Sequence, residues 1–287
     1  MSAETLDLVV RARRAVIDGA LRPCSVGVRA GRIVAVESYE AALGAAEVID
    51  LAADEALLPG LVDSHVHVNE PGRTEWEGFA TATAAAAAGG VTTIIDMPLN
   101  SIPPTCDVAA LEVKRKSAEG RCHVDVGFWG GAIPGNAAEL YPLHEAGSFG
   151  FKCFLLPSGV EEFPPLEAAG LELAMREIAA FDGLLIVHAE DAREVAGVPP
   201  GSGYGAFLRS RPPAAEVRAI ETLLEAAART GTRVHAAPVQ RGGAARDRRG
   251  ARAGRAGQRR DLPALPELRR RGDPRGRDLV QVLPADP

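Results

Sequence analysis

LPGLVDSHV, residues 58–66, is where the chain changes character. Before it, residues 6–57 offer short β-branched stretches, LDLVV, SVGVRA and RIVAVES, broken by the turn-like DG and AGR. That is the pattern of a small antiparallel sheet, so residues 1–57 are read as an N-terminal β domain. After it, apolar strands alternate with Ala-rich helical stretches at the spacing of βα units. Further strands are predicted at VTTIIDM (91–97), CHVDVGFWG (122–130), GFKCFL (150–155) and GLLIVHAE (183–190), with helices near 76–88, 107–118, 137–146, 165–181 and 214–230.

Repeated strand–helix–strand units need cover on both sheet faces and so imply a parallel sheet. A (β/α)8 barrel is the leading closure. The alternative is a doubly wound sheet, but the Gly-rich phosphate turn that would favour it does not follow the first strand. Residues 58–235 are therefore read as the first five to six βα units of an α/β barrel. Such a barrel takes roughly 250 residues, so this one is expected to be incomplete and to leave a strand edge open.

After Val234 the pattern fails. QRGGAARDRRGARAGRAGQRRDLPALPELRRRGDPRGRDLV follows neither the period of two nor that of 3.6. Residues 236–287 are expected to be a non-native or disordered Arg/Gly/Pro-rich tail, as an out-of-frame reading of a GC-rich gene near codon 236 would give.

The net charge of −6 hides an asymmetry: residues 236–287 hold thirteen arginines, no lysine and six acids. A basic tail can bind nucleic acid, but this one lacks interleaved aromatics and any nucleic-acid module, so no nucleic-acid partner is expected. Four widely spaced cysteines without a CxxC pair suit a reducing compartment. No run of eighteen apolar residues and no basic n-region occur, so neither a membrane span nor export is expected. The expected location is the cytoplasm.

In VDSHVHVNEPG, His65 and His67 lie two apart at the end of a strand and so project from one face. At a barrel mouth, two neutral imidazoles suit zinc or another borderline divalent ion; alternatively they are two polar residues at a strand end. Asp63 points to the same side, where its carboxylate either holds an imidazole N–H or caps the strand end. Lys152 sits mid-strand between Phe151 and Cys153. A buried ammonium there is costly unless it is neutralised, paired or used, or snorkels to the mouth. His188 ends the apolar run LLIV and reaches the same end of its strand.

PGLVDSHVHVNEPGRTEWEGF (59–79), AAAAGGVTTIIDMPLNSIPPT (85–105), GFKCFL (150–155) and VHAED (187–191) resemble the cyclic amidohydrolases, the family of the allantoinases, dihydropyrimidinases (hydantoinases) and dihydroorotases. The first two blocks resemble its allantoinase branch more than the others. The resemblance runs from about residue 5 to residue 235. It implies two divalent metal ions, most often zinc, with His65 and His67 on the more buried one and His188 on the other. Lys152 is implied to be carbamylated by CO2 so that it bridges the two, and Asn100 to help hold the substrate ring. The implied substrate is a small molecule, allantoin or a related cyclic ureide hydrolysed to the allantoate type of product. The implied assembly is a homo-oligomer. Hydantoins or dihydropyrimidines are the rival substrates, and a non-catalytic amidohydrolase-like fragment is the rival role.

The match has two departures. Pro238 stands where the family has a strand-six histidine ligand, and His235 matches only the non-ligand histidine before it. The strand-eight aspartate that serves as general base in the family has no counterpart in the sequence. Impaired activity is the expectation.

Overall fold

The computed structural model describes residues 5–197, 204–236, 270–272 and 278–280. The N-terminal module is a four-stranded sheet of β1 (Leu6–Ile17), β2 (Ala20–Arg29), β3 (Arg32–Glu37) and β4 (Ala45–Asp50) in the order β3-β2-β1-β4. The β1–β2 and β2–β3 pairs are antiparallel as expected. In contrast, β4 runs parallel to β1, because residues 38–44 carry the chain back across the sheet instead of turning it tightly. Leu8, Val10, Ala12, Cys24, Val26, Val28 and Leu57 form this module's own apolar cluster.

From Leu61 to Ala236 every described strand pair is parallel. The strands are β5 (Leu61–Val66), β6 (Val91–Asp96), β7 (Asp125–Phe128), β8 (Gly130–Gly131), β9 (Phe151–Phe154), β10 (Leu184–His188) and β11 (Arg233–Ala236). They pair in chain order, β5-β6-β7 and then β8-β9-β10-β11. Such an order never reverses, as a doubly wound sheet must at its switch point, so the described strands form an arc of a (β/α)8 barrel, incomplete among the described residues. Between β7 and β8 the chain changes partner at Trp129. Its backbone N–H bonds to Asp96 O at 2.9 Å, while the next N–H, of Gly130, bonds to Gly150 O at 2.9 Å. Trp129 is 1% exposed, and its Nε1–H donates to Ser64 O at 2.9 Å, tying this turn of the arc to β5.

The helices α1 (Phe79–Ala88), α2 (Val108–Ala118), α3 (Leu140–Glu145), α4 (Ala168–Ala180) and α6 (Pro213–Thr230) lie where the sequence places them, and a short α5 (Tyr204–Ser210) was not expected. Their ends follow local chemistry. Asp107 caps α2 by accepting the Ala110 N–H at 2.7 Å, Pro213 opens α6, and Gly231 closes it at φ 77°.

Strand alternation separates two cores. Ile94, Phe151, Cys153, Leu185 and Val187 face the helices, packing with Leu111, Leu143, Met175, Ile178 and Leu223. Their neighbours Ile95, Phe154 and Ile186 face inward with Met97, Trp129 and Phe163. Among the described residues β5 pairs only with β6 and β11 only with β10, and Leu61 and Val62 stand 59% and 50% exposed. Most of the tail reading lies outside the described residues. Two short strands within that tail, β12 (Arg270–Gly272) and β13 (Asp278–Val280), pair antiparallel with each other. No described helix is long and apolar enough to cross a membrane.

Candidate metal centre

The alternation that sends Phe151 and Cys153 to the helices sends Lys152 inward. In register, Lys152 stands beside Ile186, and Ile186 beside His235. His188, two residues after Ile186, is inward as well, opposite Phe154. One inner face thus receives Lys152, His188 and His235 from three successive strands.

Lys152 is 1% exposed. It does not snorkel. Its Nζ lies 5.0 Å from the Phe154 ring, and burial lowers its pKa to about 8. Phe154 also stacks on His188, with ring centroids 4.9 Å apart, so one aromatic ring serves both groups. The Nε2 of His188 is 2.9 Å from Glu190 Oε2, and Arg211 binds the same oxygen. Burial holds the His188 pKa down, with the Glu190 hydrogen bond opposing it.

Across the arc, the rings of His65 and His67 are 5.5 Å apart, centroid to centroid. Burial first, and then the positive charge of Lys152, lowers the His65 pKa, with His188 and His235 adding to the effect. Those charges are felt because the histidines and the lysine share one mouth. Burial lowers the His67 pKa to about 4, helped by His65, Lys152 and Lys114. Both imidazoles are therefore neutral at pH 7, the form that binds metals.

Asp63 takes the backbone role: its Oδ1 accepts the His65 N–H at 3.0 Å, and neither imidazole. The Asn100 amide lies 3.5 Å from His67 Nδ1. Asn100 has φ 75°, and its carbonyl accepts a hydrogen bond from Arg73 at 2.9 Å. Arg73 also pairs with Glu162, so the loops after β5, β6 and β9 are joined at the mouth.

Among the described residues no three His, Cys, Asp or Glu side chains form a group able to hold a metal ion by themselves. The His65–His67 pair and His188 stand on different parts of the arc, with Lys152 acting electrostatically on both. Pro238 lies outside the described residues. Sequence reasoning missed Glu190 and Arg211 as supports of His188; the only signal was the acidic pair in VHAED. It also passed over Asp96, a charge ending an apolar strand just as His188 does.

Residues 56–237 match the model of the amidohydrolase family, and the chain belongs to that family. Within it, the chain is similar to allantoinases. It is 55% identical over 232 residues to the allantoinase of Streptomyces avermitilis, covering 80% of this chain and 52% of that one. It is 42% identical over 232 residues to the mitochondrial allantoinase of Aquarana catesbeiana, covering 79% and 47%. Among solved structures, the L-hydantoinase (dihydropyrimidinase) of Arthrobacter aurescens is similar at a TM-score of 0.75 and 30% identity, over 81% of this chain and 52% of that one. The chain spans about half the length of the curated relatives it matches.

Proposed function

We propose that this chain carries metal-binding residues of a cyclic-amide hydrolase of the allantoinase type, whose substrate is allantoin or a related cyclic ureide opened to the allantoate type of product. The observation that carries the reading is Lys152: an inward lysine, 1% exposed, facing the same mouth as an HxH pair and a third histidine. Burial lowers its pKa to about 8, which makes the neutral amine far more accessible near neutral pH than in an exposed lysine. A neutral amine adds CO2, forming a new N–C bond and releasing one proton, and the resulting carbamate anion replaces the costly ammonium with a metal ligand.

The donor set suits a pair of divalent ions. Three histidines cannot close a centre alone, and a carbamate on Lys152 supplies the missing oxygens. His65 and His67 would hold one ion. His188 would hold the other through Nδ1, since Glu190 engages Nε2. An imidazole-rich set favours zinc. Such ions supply a hydroxide near neutral pH and polarise a ring carbonyl. Around them Phe154 and Trp129 keep the inner face apolar, and Asn100, whose amide lies 3.5 Å from His67 Nδ1, would help hold the substrate ring.

The sequence places Pro238 where the resemblance expects a fourth histidine, so turnover by this chain alone is proposed to be low. The domain boundaries, 1–57, 58–235 and 236–287, a cytoplasmic location and the homo-oligomeric state of intact relatives belong to the same proposal. A hydantoin or dihydropyrimidine substrate is the second reading, favoured by the 30% identity to L-hydantoinase. The test is ring opening of allantoin, hydantoin and dihydrouracil side by side, with zinc and bicarbonate supplied. Preference for allantoin supports the first reading, and preference for either other ring replaces it.

A further inference from the structure

Outside the mouth, the most unusual group is a buried ion pair. Lys114, on α2, and Asp96, at the end of β6, are 1% and 0% exposed, with Nζ 2.6 Å from Oδ2. Lys114 Nζ also donates to Met97 O at 2.9 Å. The other carboxylate oxygen, Oδ1, accepts the backbone N–H of Val68 at 2.7 Å, while the N–H of Met97 donates to Val66 O at 2.8 Å. Residues 96 and 97 therefore grip both neighbours of His67. The Met97–Val66 bond continues the β5–β6 ladder from the Val66–Asp96 pair, where it resumes after a register break that begins at Asp63, and the Asp96 carboxylate adds the second hold, on Val68, beyond the end of the strand.

A buried ion pair is a poor source of stability, since apolar residues of similar volume do as well or better. This one gains its value from geometry. We propose that Asp96, held by Lys114, is a positioning residue that fixes the backbone at His67 and so aims the His65–His67 pair at its metal. The inference rests on the metal role of those histidines proposed above.

The test compares two double variants of the full chain that both remove the ion pair. Asp96→Asn with Lys114→Met keeps an acceptor for the Val68 N–H, whereas Asp96→Leu with Lys114→Met keeps only the volume. Titration with Co2+, followed by its visible absorption, reads affinity, and far-UV circular dichroism reads the fold. The leucine variant should lose about 10–100-fold in Co2+ affinity, the range for removing a group that orients a ligand, while the asparagine variant stays near wild type. Equal affinity in both variants, or an equal loss, overturns the inference. If the leucine variant does not fold, hydrogen exchange at the Val68 amide of the wild-type chain decides: slow exchange is expected, and rapid exchange overturns the anchor. A wild-type chain that binds no Co2+ removes the metal reading itself, and this inference with it.

Discussion

His188 Nε2 and Glu190 Oε2 are 2.9 Å apart, and Arg211 holds the same carboxylate oxygen. A histidine with one ring nitrogen held in this way has a fixed tautomer and a fixed plane, which in the proposed centre would leave Nδ1 as the coordinating atom. Glu190→Ala should therefore weaken zinc binding at the His188 site by about 10–100-fold, with Arg211→Ala weaker in effect. Isothermal titration reads both. Unchanged affinity in Glu190→Ala would show that the pair is a surface ion pair and nothing more.

Lys152 gives a prediction of opposite sign for stability and binding. Lys152→Met preserves volume and removes a buried ammonium that lies over the Phe154 ring and adds its charge to the mouth histidines. Metal-free and without bicarbonate, the variant should be as stable as wild type or more so, by on the order of 1–3 kcal/mol. Its zinc uptake should fall sharply, and bicarbonate should no longer raise it. Thermal melts and metal analysis check the two halves separately. A clear loss of stability would mean that Lys152 is satisfied in a way that burial does not reveal.

Asp96 predicts a pH dependence. Burial raises its pKa from 3.8 to about 6 against the opposing pull of Lys114. The folded chain therefore holds this proton more tightly than the unfolded chain does. The contribution is fully present below pH 3.8 and is lost as pH rises through about 6. At about 1.4 kcal/mol per unit, the shift amounts to on the order of 3 kcal/mol. Denaturant melts between pH 4 and 7 should show wild type losing ground to the Asp96→Asn, Lys114→Met variant as pH rises. Parallel curves would contradict the shift.

Gly150 predicts a steric limit just before the strand that carries Lys152. A Cβ there would stand 2.6 Å from Trp129 Cζ3 and 2.7 Å from the backbone carbonyl of Leu184. The tryptophan is 1% exposed and hydrogen-bonded, and the carbonyl belongs to β10, so neither can give way cheaply. Gly150→Ala should cost about 1–3 kcal/mol, whereas Gly44→Ala, in open space, should leave the melting temperature in place.

Much of this architecture was legible in the sequence because buried parallel strands read as continuous apolar runs. VTTIIDM became β6 and GLLIVHAE became β10, each trimmed by one or more residues. The sequence put Lys152 mid-strand and His188 at a strand end; that both aim inward is set by the β9–β10 register, which stands Lys152 beside Ile186 and His188 beside Phe154. The parallel pairing of β4 was not legible, since a strand's direction depends on the path of the loop before it and not on its own pattern. The change of partner at Trp129 was hidden for a related reason: CHVDVGFWG reads as one strand, and only the bonds of residues 129 and 130 to different neighbours divide it. Glu190, Arg211, Asp96 and Lys114 escaped notice because a charged residue at or past a strand end, on a helix or between two helices looks solvated until the fold buries it.

The central claim is that His65, His67, Lys152 and His188 form one metal-binding mouth. The direct measurement is the metal content of the purified full chain after loading with zinc and bicarbonate, set against the His65→Ala, His67→Ala double variant. The account predicts bound zinc in the wild type that bicarbonate increases and the double variant lacks, with little allantoin hydrolysis accompanying it. Equal zinc in both proteins, or none in either, would contradict it.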